Sequence, residues 1–342
     1  MANLDYGNIK TDEMLKSLER RLKKEYQLTS KEVEKMLTEY LDEYEEVDSK
    51  KSEEVKQGKI TEREYTNWRI GLIVASVGWH KVRKQLARKF IDCNVKATGL
   101  INEHINITYA FNYNYTAFKL ETVTGISTDY KILDNRAVEY IRRKEPKLYP
   151  SLPEKSLMKI PKDLRWNEKQ LNAHMIEGLS RGESIDKIAK RLPRGVGEEN
   201  LNGAIRRART MTTSAENGAR FDSAIRAKEY GIVTYYVWIA TLDGRTRHTH
   251  RECDGEVVEV GKTFSNGLRY PGDTSGDPAE LYNCRCVYEE FDAQTSRGAS
   301  ELAFRNTDNF DYDSYEEWKQ GKPNYYQEKK KQEQNKGKYA RR

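Results

Sequence analysis

"IVTYYVWIA", residues 232–240, marks a change of structural type along the chain. Eight of its nine residues are β-branched or aromatic, the kind that fits a pleated, half-buried surface, so the spacing predicts a strand. Gly231 stands just before it as a stop signal. The preceding stretch, "NLNGAIRRARTMTTSAENGARFDSAIRAKEYG", reads as a long helix from about Glu198 to Tyr230. "EVVEV" (256–260) and "RCVYEEF" (285–291) read as further strands. The C-terminal region is therefore expected to be α+β, with helices followed by a small β-sheet.

Working back from this point, "DLRWNEKQLNAHMIEGLSRGES" predicts a helix ended by Gly182, and "SIDKIAKRL" a second one stopped by Pro193. Pro146, Pro150, Pro153 and Pro161 punctuate the segment before them, which places a boundary near Lys159. The mainly α N-terminal half carries two capping boxes. Thr29 and Glu32 form the first, flanked by Leu28 and Val33, and Thr61 and Glu64 form the second, flanked by Ile60 and Tyr65. Val33, Met36, Leu37, Tyr40, Leu41 and Tyr44 lie on one helical stripe. The second helical stretch extends to about Leu120, with Gly71, Gly78 and Gly99 as candidate breaks. Three parts result: an elongated helical region over 1–160 suited to docking, an α+β region over 161–292, and an acidic-aromatic segment with a basic tail over 293–342.

Composition narrows the class. A charged fraction of 33% beside a hydrophobic fraction of 37% favours an elongated, helix-rich molecule with a large surface. The longest apolar run, "GLIVASVGW" (71–79), is far short of the roughly 20 residues that span a bilayer, so no membrane partner is expected. The first residues show no apolar signal region, and 4 cysteines do not make a disulfide framework. A reducing cytoplasm is the expected place of synthesis. Net charge is only +6, so nucleic-acid contact must come from local patches. The tail "QEKKKQEQNKGKYARR" has too few apolar residues to order itself; Lys329, Lys330, Lys331, Arg341 and Arg342 are its candidate phosphate contacts.

The chemistry-bearing residues cluster. His248, His250, Cys253, Cys284 and Cys286 fall within 248–286, although the chain holds only 5 His and 4 Cys. Thiolates and imidazoles are zinc ligands, and His250, Cys253, Cys284 and Cys286 would complete a tetrahedral set with His248 as a substitute. The bland alternative is a packed loop with small buried cysteines. His80, His104 and His174 sit in helical runs and read as surface or core residues. A metal-dependent nuclease using His250 with Asp243 and Asp254 is the rival reading, but no His lies beyond 250 to assist it. No catalytic residue is assigned.

"RRARTMTTSAENGAR", the strand ending "WIATLDGRTRHTHRECDG", then "PGD" and "NCRC", in that order, resemble the Mu F-like head morphogenesis family, minor capsid proteins of tailed bacteriophages. The resemblance covers about 165–290. Asp243, Arg245, Thr246, Arg247, His250, Asp254 and Gly255 match its first block, and Asn283, Cys284, Arg285 and Cys286 its second. The family pattern has an aliphatic residue where Cys253 stands, which makes His250, Cys284 and Cys286 the better candidates for a shared role. The resemblance implies a virion component, incorporated into the procapsid in the host cytoplasm and held inside the capsid near the portal. It implies as partners the portal, the major capsid or scaffolding protein, and double-stranded DNA, and it implies no general enzymatic activity.

Overall fold

The computed structural model describes residues 6–127, 161–292 and 312–322. Its elements are α1 (Tyr6–Lys56), α2 (Glu62–Arg69), a π-helical turn (Ile70–Val74), α3 (Val77–Thr124), α4 (Pro161–Ser180) and α5 (Ile185–Glu229). There follow β1 (Thr234–Ile239), α6 (His248–Glu252), β2 (Val257–Glu259), α7 (Pro278–Leu281), β3 (Val287–Asp292) and α8 (Tyr312–Gln320). The expected order, a helical N-terminal half and then helices with a small sheet, is what the chain adopts. No helix among the described residues is long and apolar enough to cross a membrane.

The chain divides into two compact units that interleave in sequence. One comprises Glu19–Leu100 and Leu152–Ile205; the other comprises Met1–Leu18, Ile101–Ser151 and Arg206–Arg342. The long helices α1, α3 and α5 each contribute residues to both units. Lys159, Pro146, Pro150, Pro153 and the basic tail lie outside the described residues, whereas Pro161 opens α4.

The unit of residues 19–100 and 152–205 is helical among its described residues. Its core carries the expected α1 stripe: Val33, Leu37, Tyr40 and Leu41 are buried, with Met36 and Tyr44 partly buried against them. Trp79 and Phe90 of α3, Leu171 and Met175 of α4, and Ile188, Leu192 and Val196 of α5 complete it. The capping box at Thr61 forms as expected: the Glu64 amide donates to Thr61 Oγ1 at 3.2 Å, and the Thr61 amide donates to Glu64 Oε2 at 2.8 Å.

Three sequence expectations need correction. Thr29 and Glu32 do not start a helix, because α1 runs through them unbroken. No Gly or Pro occurs between residues 8 and 57, and the buried stripe of Leu22, Tyr26, Val33 and Leu37 continues across the site. Glu32 instead pairs with Lys89 at 3.0 Å. Pro193 does not end a helix either; it lies inside α5. A proline there removes one backbone hydrogen bond at about 3 kcal/mol. Burial of Leu192 and Val196 offsets that loss, and the Ser30 hydroxyl donates to the Pro193 carbonyl at 3.1 Å. Gly197 is a close-approach residue: a Cβ there would stand 2.2 Å from Ser30 Oγ. Finally, Gly99 does not break α3, whereas the region of Gly71 and Gly78 does interrupt the run through the π-turn and the start of α3.

In the second unit a three-stranded antiparallel sheet, in the order β2-β1-β3, is laid on the C-terminal half of α5. Val237 faces Val257 on β2 and Glu289 on β3. The inward residues of β1, Thr234, Tyr236 and Trp238, are fully buried and pack with Phe221, Ala224 and Ala227 of α5. The acidic-aromatic segment supplies α8, whose Tyr315 packs on Tyr115 and Phe118 of α3. Lys322 Nζ beyond it reaches Glu121 Oε2 at 2.6 Å.

Candidate functional site

One polar stripe of α5 holds an irregular loop. Thr210, Thr213, Ser214, Asn217 and Arg220 recur at helical three- and four-residue steps and face residues 271–288. The Asn283 amide donates to Thr210 Oγ1 at 3.0 Å, and Thr213 Oγ1 donates to the Cys284 carbonyl at 2.9 Å. Asn217 Nδ2 donates to the carbonyls of Pro271 at 2.8 Å and Cys286 at 3.2 Å. Ser214 Oγ donates to the Gly272 carbonyl. A buried loop without regular pairing needs such partners for its backbone groups, and here one helix supplies them. Asn283 takes a positive φ of 56°, turning the chain between α7 and the two cysteines, a conformation that asparagine tolerates.

The segment 241–255 closes over this loop. Arg285 grips Asp243 with both guanidinium nitrogens, at 2.6 and 2.7 Å, so the first motif block is tied to the second. That pair and the Arg245 amide, which donates to Asp243 Oδ1 at 2.9 Å, hold the Asp243 carboxyl well below the usual carboxylate range. Thr246 Oγ1 donates to the Thr241 carbonyl, and Arg247 to that of Tyr282. The Ala240 amide donates to Asp254 Oδ1 at 2.8 Å, and Gly255, at φ 78°, returns its amide to the Trp238 carbonyl at 2.9 Å. These matched residues are the internal ties of a loop pair.

α6 projects His250 into the space so enclosed, where it is 1% exposed. Cys286 Sγ lies 3.4 Å and Cys284 Sγ 3.6 Å from its Nδ1. The ligand atoms of the three residues all fall within 4.8 Å of one another. On the ring's other side, Nε2 is 2.8 Å from Glu280 Oε2, off the line of a hydrogen bond. Thr249 Oγ1 donates to that same carboxylate oxygen at 2.8 Å. The edge of Trp238 closes the pocket, its ring centroid 5.2 Å from that of His250. The two thiols share their protons unequally. The hydrogen bond from Cys284, and then His250, bring Cys286 down to about 5, while the same bond and burial push Cys284 up.

Of the residues expected to form one set, the structure brings His250, Cys284 and Cys286 together. Cys253 is buried beside them in the same core, but its thiol pairs with Ser265 Oγ at 3.3 Å. His248 is exposed and pairs with Glu252 at 3.2 Å. His104 is buried against Thr212 Oγ1 at 2.9 Å, and His80 and His174 lie beside Arg83 and Arg191. Lys329, Lys330, Lys331, Arg341 and Arg342 lie outside the described residues. Sequence reasoning missed Glu280 and Trp238 as walls of the site. It also missed Asn217 and Arg220, although the spacing of polar residues on a helix preceding "NCRC" was a usable signal.

Comparison with known proteins bears on this same region. Residues 169–289 match the family model described as Phage Mu protein F like protein. Minor head protein GP7 of Bacillus phage SPP1 is 24% identical over 323 residues, covering 91% of this chain and 94% of that protein. An NAD(+)--arginine ADP-ribosyltransferase EFV of Enterococcus faecalis is 34% identical over 116 residues, 33% of this chain and 24% of its own length. An uncharacterized protein of Haemophilus influenzae is 29% identical over 129 residues, 34% of this chain and 27% of its own. The chain thus spans only about a quarter of those two relatives. No solved structure matches significantly. Residues 169–289 are a Phage Mu protein F-like segment, in a chain similar along nearly its whole length to a phage minor head protein.

Proposed function

We propose that this chain is a minor head protein of a tailed phage or prophage, acting in head morphogenesis. It is built into the procapsid near the portal and assists assembly, DNA packaging or DNA delivery. The observation that carries this reading is the similarity to Minor head protein GP7, which runs through 94% of that protein. The portal and the major capsid or scaffolding protein are its partners in this reading, with double-stranded DNA as a further one through the basic tail. Mass spectrometry of heads purified from the phage or induced prophage that encodes it is the test. The chain is expected in procapsids and in finished particles, at low copy beside the major capsid protein. Its absence from both would overturn the proposal.

The role is non-enzymatic in this reading. His250 is 1% exposed and walled by Trp238, so a phosphodiester has no route to its imidazole. Supercoiled plasmid incubated with divalent metal is expected to stay intact with the wild type and with His250→Ala alike. Nicking by the wild type that the variant lacks would make residues 245–286 an active site and favour a nuclease delivered with the genome. Because the chain spans 24% of the ADP-ribosyltransferase it resembles, that protein's activity does not transfer to this one.

A further inference from the structure

We propose that His250, Cys284 and Cys286 bind one zinc ion, with His250 ligating through Nδ1 and Glu280 acting as the positioning residue for its ring. The first ground is the convergence of two sulfurs on one nitrogen. A neutral imidazole Nδ1 offers a single proton or a single lone pair, so it makes one good hydrogen bond to one sulfur, and the other sulfur has only its neighbouring thiol to turn to. A central cation satisfies all three atoms at once. With metal–ligand bonds of about 2.0–2.3 Å, tetrahedral neighbours stand about 3.5 Å apart. The observed sulfur–nitrogen separations are 3.4 and 3.6 Å.

The second ground is Glu280. Its carboxylate stands 2.8 Å from Nε2, the nitrogen turned away from the thiols, and Thr249 holds it there. A carboxylate 2.8 Å from Nε2 favours the proton on that nitrogen electrostatically and so leaves the Nδ1 lone pair to a metal, the role that the aligned hydrogen bond plays in carboxylate–histidine–metal arrangements. Two thiolates and an imidazole are a soft donor set that suits zinc and does not suit magnesium or calcium. Three protein ligands leave one position of the tetrahedron for a water molecule.

The line Cys286–His250–Glu280 also has the connectivity of a thiol nucleophile, its base and an orienting acid. Burial decides against that use: His250, Cys284 and Cys286 are each 1–2% exposed, so no substrate reaches the sulfur. The ion is instead a clamp, joining α6 to the loop that follows α7 at the point where Asp243 and Arg285 already tie the same segments. This proposal stands whether or not the chain is a head protein.

The test uses the full-length chain, purified and dialysed, with zinc content measured by mass spectrometry and cobalt(II) titrated into the chelator-treated protein. The wild type is expected to retain about one equivalent of zinc and to give a thiolate-to-cobalt charge-transfer band. Cys284→Ser and Cys286→Ser should lose both, while Cys253→Ser and Cys93→Ser keep both. Glu280→Gln should keep the band with affinity weakened about 10- to 100-fold. Chelation of the wild type should lower its Tm by on the order of 10 °C, which decides the matter even where a cysteine variant fails to fold. A wild type that holds no zinc and shows no cobalt band overturns the site. Full binding by Cys286→Ser overturns the ligand set, and unchanged affinity in Glu280→Gln overturns the positioning role.

Discussion

Arg220→Ala is expected to destabilise the unit of residues 1–18, 101–151 and 206–342 by about 3–5 kcal/mol, the scale of breaking a buried charge network. The guanidinium is 0% exposed. Its NH1 donates to the Tyr288 carbonyl of β3 at 3.0 Å, its NH2 to Asn8 Oδ1 of α1 at 2.6 Å, and its Nε to Asn112 Oδ1 of α3 at 3.3 Å. Glu216, one turn back on α5, is 3.3 Å from the same NH2. One side chain thus holds three elements to α5, and truncation removes all of these bonds together with the cation that faces Glu216. Gly7 makes room for it, since a Cβ there would stand 3.0 Å from Arg220 NH2 and 2.7 Å from the Tyr115 ring. Arg220→Lys is expected to recover only part of the loss, because an ammonium cannot reproduce a planar fork with fixed donor directions. Urea unfolding followed by tyrosine and tryptophan fluorescence checks this. A change below about 1 kcal/mol in the alanine variant would mean that the network is dispensable.

Arg220 also shows where a sequence becomes hard to read. The strand at 234–239, the α5 stop at Gly231 and the Thr61 capping box were legible because each rests on local chemistry: β-branched density, a residue that tolerates positive φ, a reciprocal side-chain cap. The unbroken α1 and the proline inside α5 were not, because a continuous buried stripe outweighed a local start or stop signal there. The site divides in the same way. His250, Cys284 and Cys286 stood out by residue type and scarcity. Cys253 has the same type and a short spacing from His250, yet its thiol turns to Ser265, which only the tertiary path of 253–265 decides. Glu280 is one of many acidic residues in the sequence, and its meaning comes from the turn at Asn283 that sets α7 beside α6. The partners of the arginines are likewise set by the tertiary path and not by residue type. Arg285 takes a carboxylate, Arg247 a backbone carbonyl, and Arg220 both.

Trp238→Ala is expected to cost about 3–5 kcal/mol and to open the core around the site. Trp238 is fully buried at the centre of the sheet, with ring centroids 5.2 Å from His250 and 5.0 Å from Phe264, both edge to face. Alanine leaves a cavity between α6, the 264–268 turn and α5, whose residues pack on the indole. The three cysteines of that core, Cys253, Cys284 and Cys286, then lose the barrier that keeps reagents out. Cys93 belongs to the other unit, packed in its own buried environment, and serves as an internal control. Labelling of the native protein by a disulfide reagent reads this directly. At about 1.4 kcal/mol per decade, a loss of this size raises opening-limited labelling of the three thiols by roughly 100-fold or more, with Cys93 unchanged. Trp238→Phe separates volume from polarity. The indole N–H has no partner among the described residues, so phenylalanine gives up packing but also removes a buried unsatisfied donor. Its cost is expected to stay under about 1.5 kcal/mol, with thiol labelling near the wild-type rate. Equal acceleration of all four cysteines in Trp238→Ala would show instead that the two units open as one, and that Trp238 guards the whole chain rather than its site.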